Sequence, residues 1–182
     1  MNVDGSVTLN PGVTDGSARI GSSSSSVAGG DISITAGGAI ALNGSSGVGA
    51  FIRTTGAVAL IANGISQGSD SAIMANGLLA DGGNGQVILN GPNMVNTLAG
   101  SAKGGFSFTN GQSLTIGSVG GVDGVTVVGA SPATVDINVT SGNLTVNKNV
   151  TASGGSSAAA TVTLTAVAGN IAVNNSSVSA AG

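Results

Sequence analysis

The pattern Gly-x-apolar-x-apolar-Asn keeps returning along this chain. It stands as Gly5-Ser-Val-Thr-Leu-Asn10, Gly38-Ala-Ile-Ala-Leu-Asn43, Gly85-Gln-Val-Ile-Leu-Asn90, Gly142-Asn-Leu-Thr-Val-Asn147 and Gly169-Asn-Ile-Ala-Val-Asn174. Looser copies are Gly30-Asp-Ile-Ser-Ile and Gly56-Ala-Val-Ala-Leu. Alternation puts both apolar side chains on one face of a short strand. Gly before the strand and Asn after it are turn residues that tolerate positive φ. So short a strand cannot fold alone, because fixing its backbone costs more entropy than burying two side chains returns. Each copy must be stacked on another, as in a β-solenoid. The constraint points to an all-β structural stack and away from a catalytic pocket.

Two spacings describe the stack. The segment from Ala133 to Asn147 matches the segment from Ala160 to Asn174 at an offset of 27 residues. Within each copy two strands lie about nine apart, Val135/Ile137 then Leu144/Val146, and Val162/Leu164 then Ile171/Val173. Ile32/Ile34 before Ile40/Leu42, and Phe106/Phe108 before Leu114/Ile116, repeat that step at eight. Three such strands per turn give a coil of 27. The competing spacing is 19, through Val87/Leu89, Phe106/Phe108, Val125/Val127, Leu144/Val146 and Val162/Leu164. Self-similarity favours the longer period and evenness the shorter, and the longer is preferred. Segments 21–30, 44–49 and 152–160, rich in Gly, Ser and Ala, read as turns or loops. Segment 65–83 is the least regular and reads as a loop leaving the stack or a degraded coil. Residues 1–182 read as one solenoid segment without a linker. No polar cap is visible at either end, so the expectation is a longer protein or ends that meet other subunits.

Composition narrows the function. Charged residues are 6% of the chain, against roughly a quarter in ordinary domains, yet 41% are hydrophobic, which argues against disorder. The four cations, Arg19, Arg53, Lys103 and Lys148, are scattered, so no phosphate-neutralising cluster exists and nucleic acid is not an expected partner. No apolar run reaches the ~20 residues of a membrane-spanning helix, and no signal peptide is visible. The absence of His and Cys removes His-dependent triads, Cys nucleophiles, disulfides and His- or Cys-ligated metals. No cofactor is expected.

The remaining candidates read as structure. Asp4, Asp15, Asp31, Asp70, Asp81, Asp123 and Asp136 are single and far apart, unlike the clustered acids of β-helix polysaccharide-degrading enzymes. Asp81-Gly-Gly-Asn-Gly85 superficially resembles a calcium-binding nonapeptide, but Val87 stands where that repeat needs Asp, so a tight turn is expected. Asn10, Asn43, Asn90, Asn147 and Asn174 each end a strand. Stacked in adjacent coils, their amides would hydrogen-bond along the axis as a ladder, with Asn147 and Asn174 the best pair. Asn-x-Ser/Thr sequons at Asn43, Asn138, Asn143, Asn149, Asn174 and Asn175 barely exceed chance. Thr161, Thr163 and Thr165 alternate outward but lack a matching set one coil earlier, which argues against a flat threonine binding surface. Phe106 and Phe108 share parity with the core, and no Trp or Tyr offers a platform for sugars.

The run from Gly30 to Gly44 (Gly-Asp-Ile-Ser-Ile-Thr-Ala-Gly-Gly-Ala-Ile-Ala-Leu-Asn-Gly) is similar to repeats of filamentous haemagglutinin-like exoproteins, as is Gly142-Asn-Leu-Thr-Val-Asn-Lys-Asn-Val-Thr-Ala-Ser-Gly-Gly155. These are large bacterial adhesins exported by two-partner or autotransporter routes. The resemblance is one of repeat style over most of the chain. It implies a right-handed parallel β-helix, display at the bacterial cell surface, and a part in adhesion or biofilm; no binding residue of the family carries over. The expected function is a non-enzymatic stalk or fibre segment whose partners are a host-cell or matrix surface, or other copies of itself. The alternatives are a head-to-tail self-assembling filament, a viral tail-spike segment, and a polysaccharide-degrading β-helix enzyme.

Overall fold

Parallel pairing organises the whole molecule. The computed structural model describes residues 1–12, 16–23, 28–44, 47–129, 132–155 and 159–182. Asp15 and parts of the three small-residue segments therefore lie outside the described residues. Among the described residues nineteen strands join one nearly closed sheet by parallel pairs, with no helix. The fold is all-β and solenoid-like.

One column of strands shows how the sequence builds it. Val7–Leu9, Ile40–Leu42, Ile65–Gln67, the start of Val87–Lys103, Gly105–Asn110, Ala133–Val139 and Ala160–Ala166 stack in that order. The register places Val7, Ile40, Ile65, Val87, Phe106, Val135 and Val162 one above another. All but Val162 are buried, and the intervening side chains point out. The other sides hold Ile32–Ala36 below Ala57–Ile61, and Ala50–Arg53 below Ala72–Asp81. Further on, Leu114–Ile116, Leu144–Val146 and Ile171–Val173 make one stack, and Val125–Val128, Val150–Ser153 and Val178–Ala181 another.

Both sequence spacings occur as register spacings, in different parts of the stack. Val135 lies opposite Val162, and Val87 opposite Phe106. The run of 19 stops there: Phe106 lies opposite Val135, and Val125 opposite Gly100 and Val150. Segment 65–83 does not leave the stack. Its strands Ile65–Gln67 and Ala72–Asp81 are fully paired, and the latter lies on both Ala50–Arg53 and Ala57–Ile61. It reads as irregular because the strand continues around a corner, so Met74-Ala-Asn-Gly77 interrupts the alternation without ending the pairing.

The element that departs from the stack is the antiparallel hairpin Ser118–Val119 with Val122–Asp123, turned by Gly120 and Gly121 at φ 60° and 82°. Val119 folds back onto the outer side of the sheet against Leu79 and Ala99, with Ala57, Ala59 and Val122 around them. Small residues make that seat: a Cβ on Gly77 would stand 3.3 Å from Val119 Cγ1.

At the last rung the inward positions lose their cover. Leu144, Val146 and Val150 are fully buried, whereas their register partners Ile171, Val173 and Val178 are 44%, 50% and 39% exposed.

Gly124, at the foot of the hairpin, has φ 69°, and a Cβ there would fall 2.1 Å from the Asn149 carbonyl oxygen. Gly121 has φ 82° but open space around it. Gly124→Ala is therefore expected to lower the unfolding free energy by ~3 kcal/mol or more, and Gly121→Ala by only ~1–2 kcal/mol. Urea denaturation of the two variants checks the order.

Candidate functional site

The strand-ending asparagines occupy the outer surface. Asn43 Nδ2 donates to Asn10 Oδ1 at 2.7 Å, and Asn174 Nδ2 donates to Asn147 Oδ1 at 3.2 Å. Asn90 joins no such pair; its Oδ1 accepts from Ser107 Oγ at 2.8 Å. The reason is local. The register shifts between Leu89 and Asn93 as the strand rounds a corner on its way to Lys103, and the asparagine of the next strand, Asn110, aligns with Asn93 instead of Asn90.

A second set of polar residues is buried, and sequence reading missed it. Ser71, Asn93 and Asn110 are each fully buried at an inner corner of successive rungs. Each accepts a backbone N–H from the rung below: Ser71 Oγ from Ala50 at 3.0 Å, Asn93 Oδ1 from Ile73 at 2.9 Å, Asn110 Oδ1 from Val95 at 2.9 Å. The Asn93 amide also donates to the carbonyls of Leu89 and Thr109, both at 3.0 Å, and exchanges hydrogen bonds with the Gln67 side chain at 2.8 and 3.1 Å. Asn110 Nδ2 donates to the Val95 and Gln112 carbonyls. These side chains satisfy backbone groups that the chain frees as it bends, in an interior lined by apolar side chains. The signal was parity. Asn110 follows Phe108 by two and Phe106 by four, and Asn93 follows Leu89 by four, so both share the inward face.

The acids are dispersed. Asp31 Oδ1 accepts from the Ala57 N–H at 2.8 Å, and Asp70 Oδ2 from the Gly47 N–H at 2.9 Å. Asp81 Oδ1 accepts from the Gly83 N–H and from Ser101 Oγ, each at 2.9 Å, which is turn chemistry. Asp136 points outward between Ser107 and Thr163. Among the described residues no three His, Cys, Asp or Glu side chains gather as a metal site. Nor is any helix long and apolar enough to cross a membrane.

Asp123 carries the one ion pair among the described residues, to Lys148 Nζ at 2.8 Å, and accepts from Ser118 Oγ. The Lys148 hydrogen bond first, and that of Ser118 second, hold its carboxyl below the usual carboxylate range. The three residues tie the hairpin to the turn before Val150–Ser153.

A shallow groove of about 340 Å³ lies on the outer surface. Register partners Met74 and Met94 form part of its wall, with Met94 46% exposed. Beside them runs a row of amides: Gln112 Nε2 donates to Asn96 Oδ1 at 2.7 Å, and Asn96 Nδ2 to Asn76 Oδ1 at 3.1 Å. Arg53 closes one side, its Nε on Met74 Sδ at 3.1 Å and its Nη1 on the Ser23 carbonyl at 3.3 Å. No carboxylate among the described residues pairs with it.

No protein-family model, curated protein or solved structure matches the chain.

Two outcomes follow from the polar groups. Asn93→Ala strands the Ile73 N–H and several carbonyls in the interior, and is expected to destabilise by ~3 kcal/mol or more; Asn174→Ala, on the exposed ladder, by less than ~1 kcal/mol. Chemical denaturation distinguishes them. Because the folded Asp123 pKa is depressed, its support of the hairpin is complete above the ordinary carboxylate value and is lost as pH falls through the folded value. An NMR titration of the Asp123 carboxyl is expected to show this low midpoint, and Lys148→Ala to move it upward.

Proposed function

We propose that the chain is a structural stalk or fibre segment of an extracellular bacterial adhesin, a right-handed parallel β-helix that holds binding regions away from the cell. One observation carries the reading: a single column stays in register from Val7–Leu9 to Ala160–Ala166, its interior filled with apolar side chains. Tension applied along such a stack is shared by rows of parallel hydrogen bonds, which suits a spacer. The scatter of Asp31, Asp70, Asp81 and Asp136 over separate turns and faces favours a mechanical role over hydrolysis. The resemblance of Gly30 to Gly44 and Gly142 to Gly155 to haemagglutinin-like repeats supports the extracellular setting.

A second reading is end-to-end assembly of copies into a filament, in which a further copy would continue the parallel strand stacking seen along the chain.

Antibody raised against the chain tests the first reading on intact source cells. Surface labelling without permeabilisation is expected; labelling that appears only after permeabilisation contradicts it. Electron microscopy of the purified chain separates the second, since filaments lengthening with concentration are its signature.

A further inference from the structure

We infer that the groove beside Arg53 is a binding site for a carboxylate-bearing saccharide. Arg53 is a partly buried cation in a chain of net charge −3, yet its side chain hydrogen-bonds to a thioether and a carbonyl oxygen and pairs with no carboxylate among the described residues. A guanidinium so placed has given up part of its hydration without gaining a counter-ion among the described residues, and its planar N–H fork matches a carboxylate in bidentate geometry.

The amide row defines the rest of the ligand. Gln112, Asn96 and Asn76 are hydrogen-bonded in one direction, which leaves Asn76 Nδ2 as a free donor at one end and Gln112 Oε1 as a free acceptor at the other. A ligand lying along the row must both accept and donate, as sugar hydroxyls do. Met74 and Met94 supply a polarisable apolar strip beside these groups, able to pack against the C–H face of a pyranose in a chain that has no Trp or Tyr. Charge, paired donor and acceptor, and apolar strip converge in one groove, and the site is independent of whether the chain serves as a stalk.

The test is NMR titration of the full chain with a glucuronate-containing tetrasaccharide and its carboxyl-reduced counterpart. Saturable shifts confined to the side-chain amides of Asn76, Asn96 and Gln112 and to the Met74 and Met94 methyls are expected with the acid. Binding at least tenfold weaker is expected for the reduced sugar and for Arg53→Gln. Asn96→Ala, which breaks the row without touching the charge, is expected to weaken binding several-fold; unchanged spectra away from the groove show that both variants fold. The absence of saturable shifts at millimolar sugar overturns the proposal. Equal binding of the reduced sugar, or of an acidic peptide at the same resonances, overturns the assigned ligand class.

Discussion

Parallel in-register stacking is the interaction on which everything else in this structure depends. Each strand is too short to hold itself, and each gains its backbone partners from the strands above and below. That is why like sits on like: Val135 under Val162, Ile137 under Leu164, Leu144 between Leu114 and Ile171. A one-residue slip would turn every one of these side chains to solvent. Glycines serve the same end where rungs touch. Gly100 is such a place, because a Cβ there would meet the Ala80 carbonyl oxygen and the Phe106 ring.

Stacking also creates the polar problem that the interior solves. The strand Val87–Lys103 rounds a corner without ending, and a bending backbone frees N–H and C=O groups inside an apolar core. Ser71, Asn93 and Asn110 meet this need in successive rungs, each bonding the rung below. The exposed pairs Asn10–Asn43 and Asn147–Asn174 instead join side chain to side chain, where water competes for the same groups. The inner ladder is therefore expected to bear more of the stability than the outer one.

Much of the fold was legible because period-two alternation survives wherever a strand is short and bounded by Gly and Asn. The 27-residue repeat at the C-terminal side is a register relation that the sequence displays directly, Ala133-Thr-Val beside Ala160-Thr-Val and Asn147 at the place of Asn174. Legibility failed where the strand outlasts its motif. Met74-Ala-Asn-Gly77 hid the pairing of Ala72–Asp81, and Asn90 resembled the other strand-ending asparagines although its strand continues. The hairpin at Ser118–Asp123 carries too little apolar sequence to announce itself; its core is borrowed from Leu79 and Ala99 on other strands. The groove was invisible for a related reason, since Arg53, Asn76, Asn96 and Gln112 meet only once register is known.

Register accumulates along one axis, and the absence of cysteine lets this be measured with introduced labels. Spin labels on introduced cysteines at Thr8 and Thr163 would span six strand-to-strand steps, through Ala41, Ser66, Ile88, Ser107 and Asp136. At one strand spacing per step, pulsed electron paramagnetic resonance should give a narrow backbone separation of about 29 Å, and labels at Ser107 and Thr163 about 10 Å. A distance that does not grow with the number of steps would contradict the stack itself.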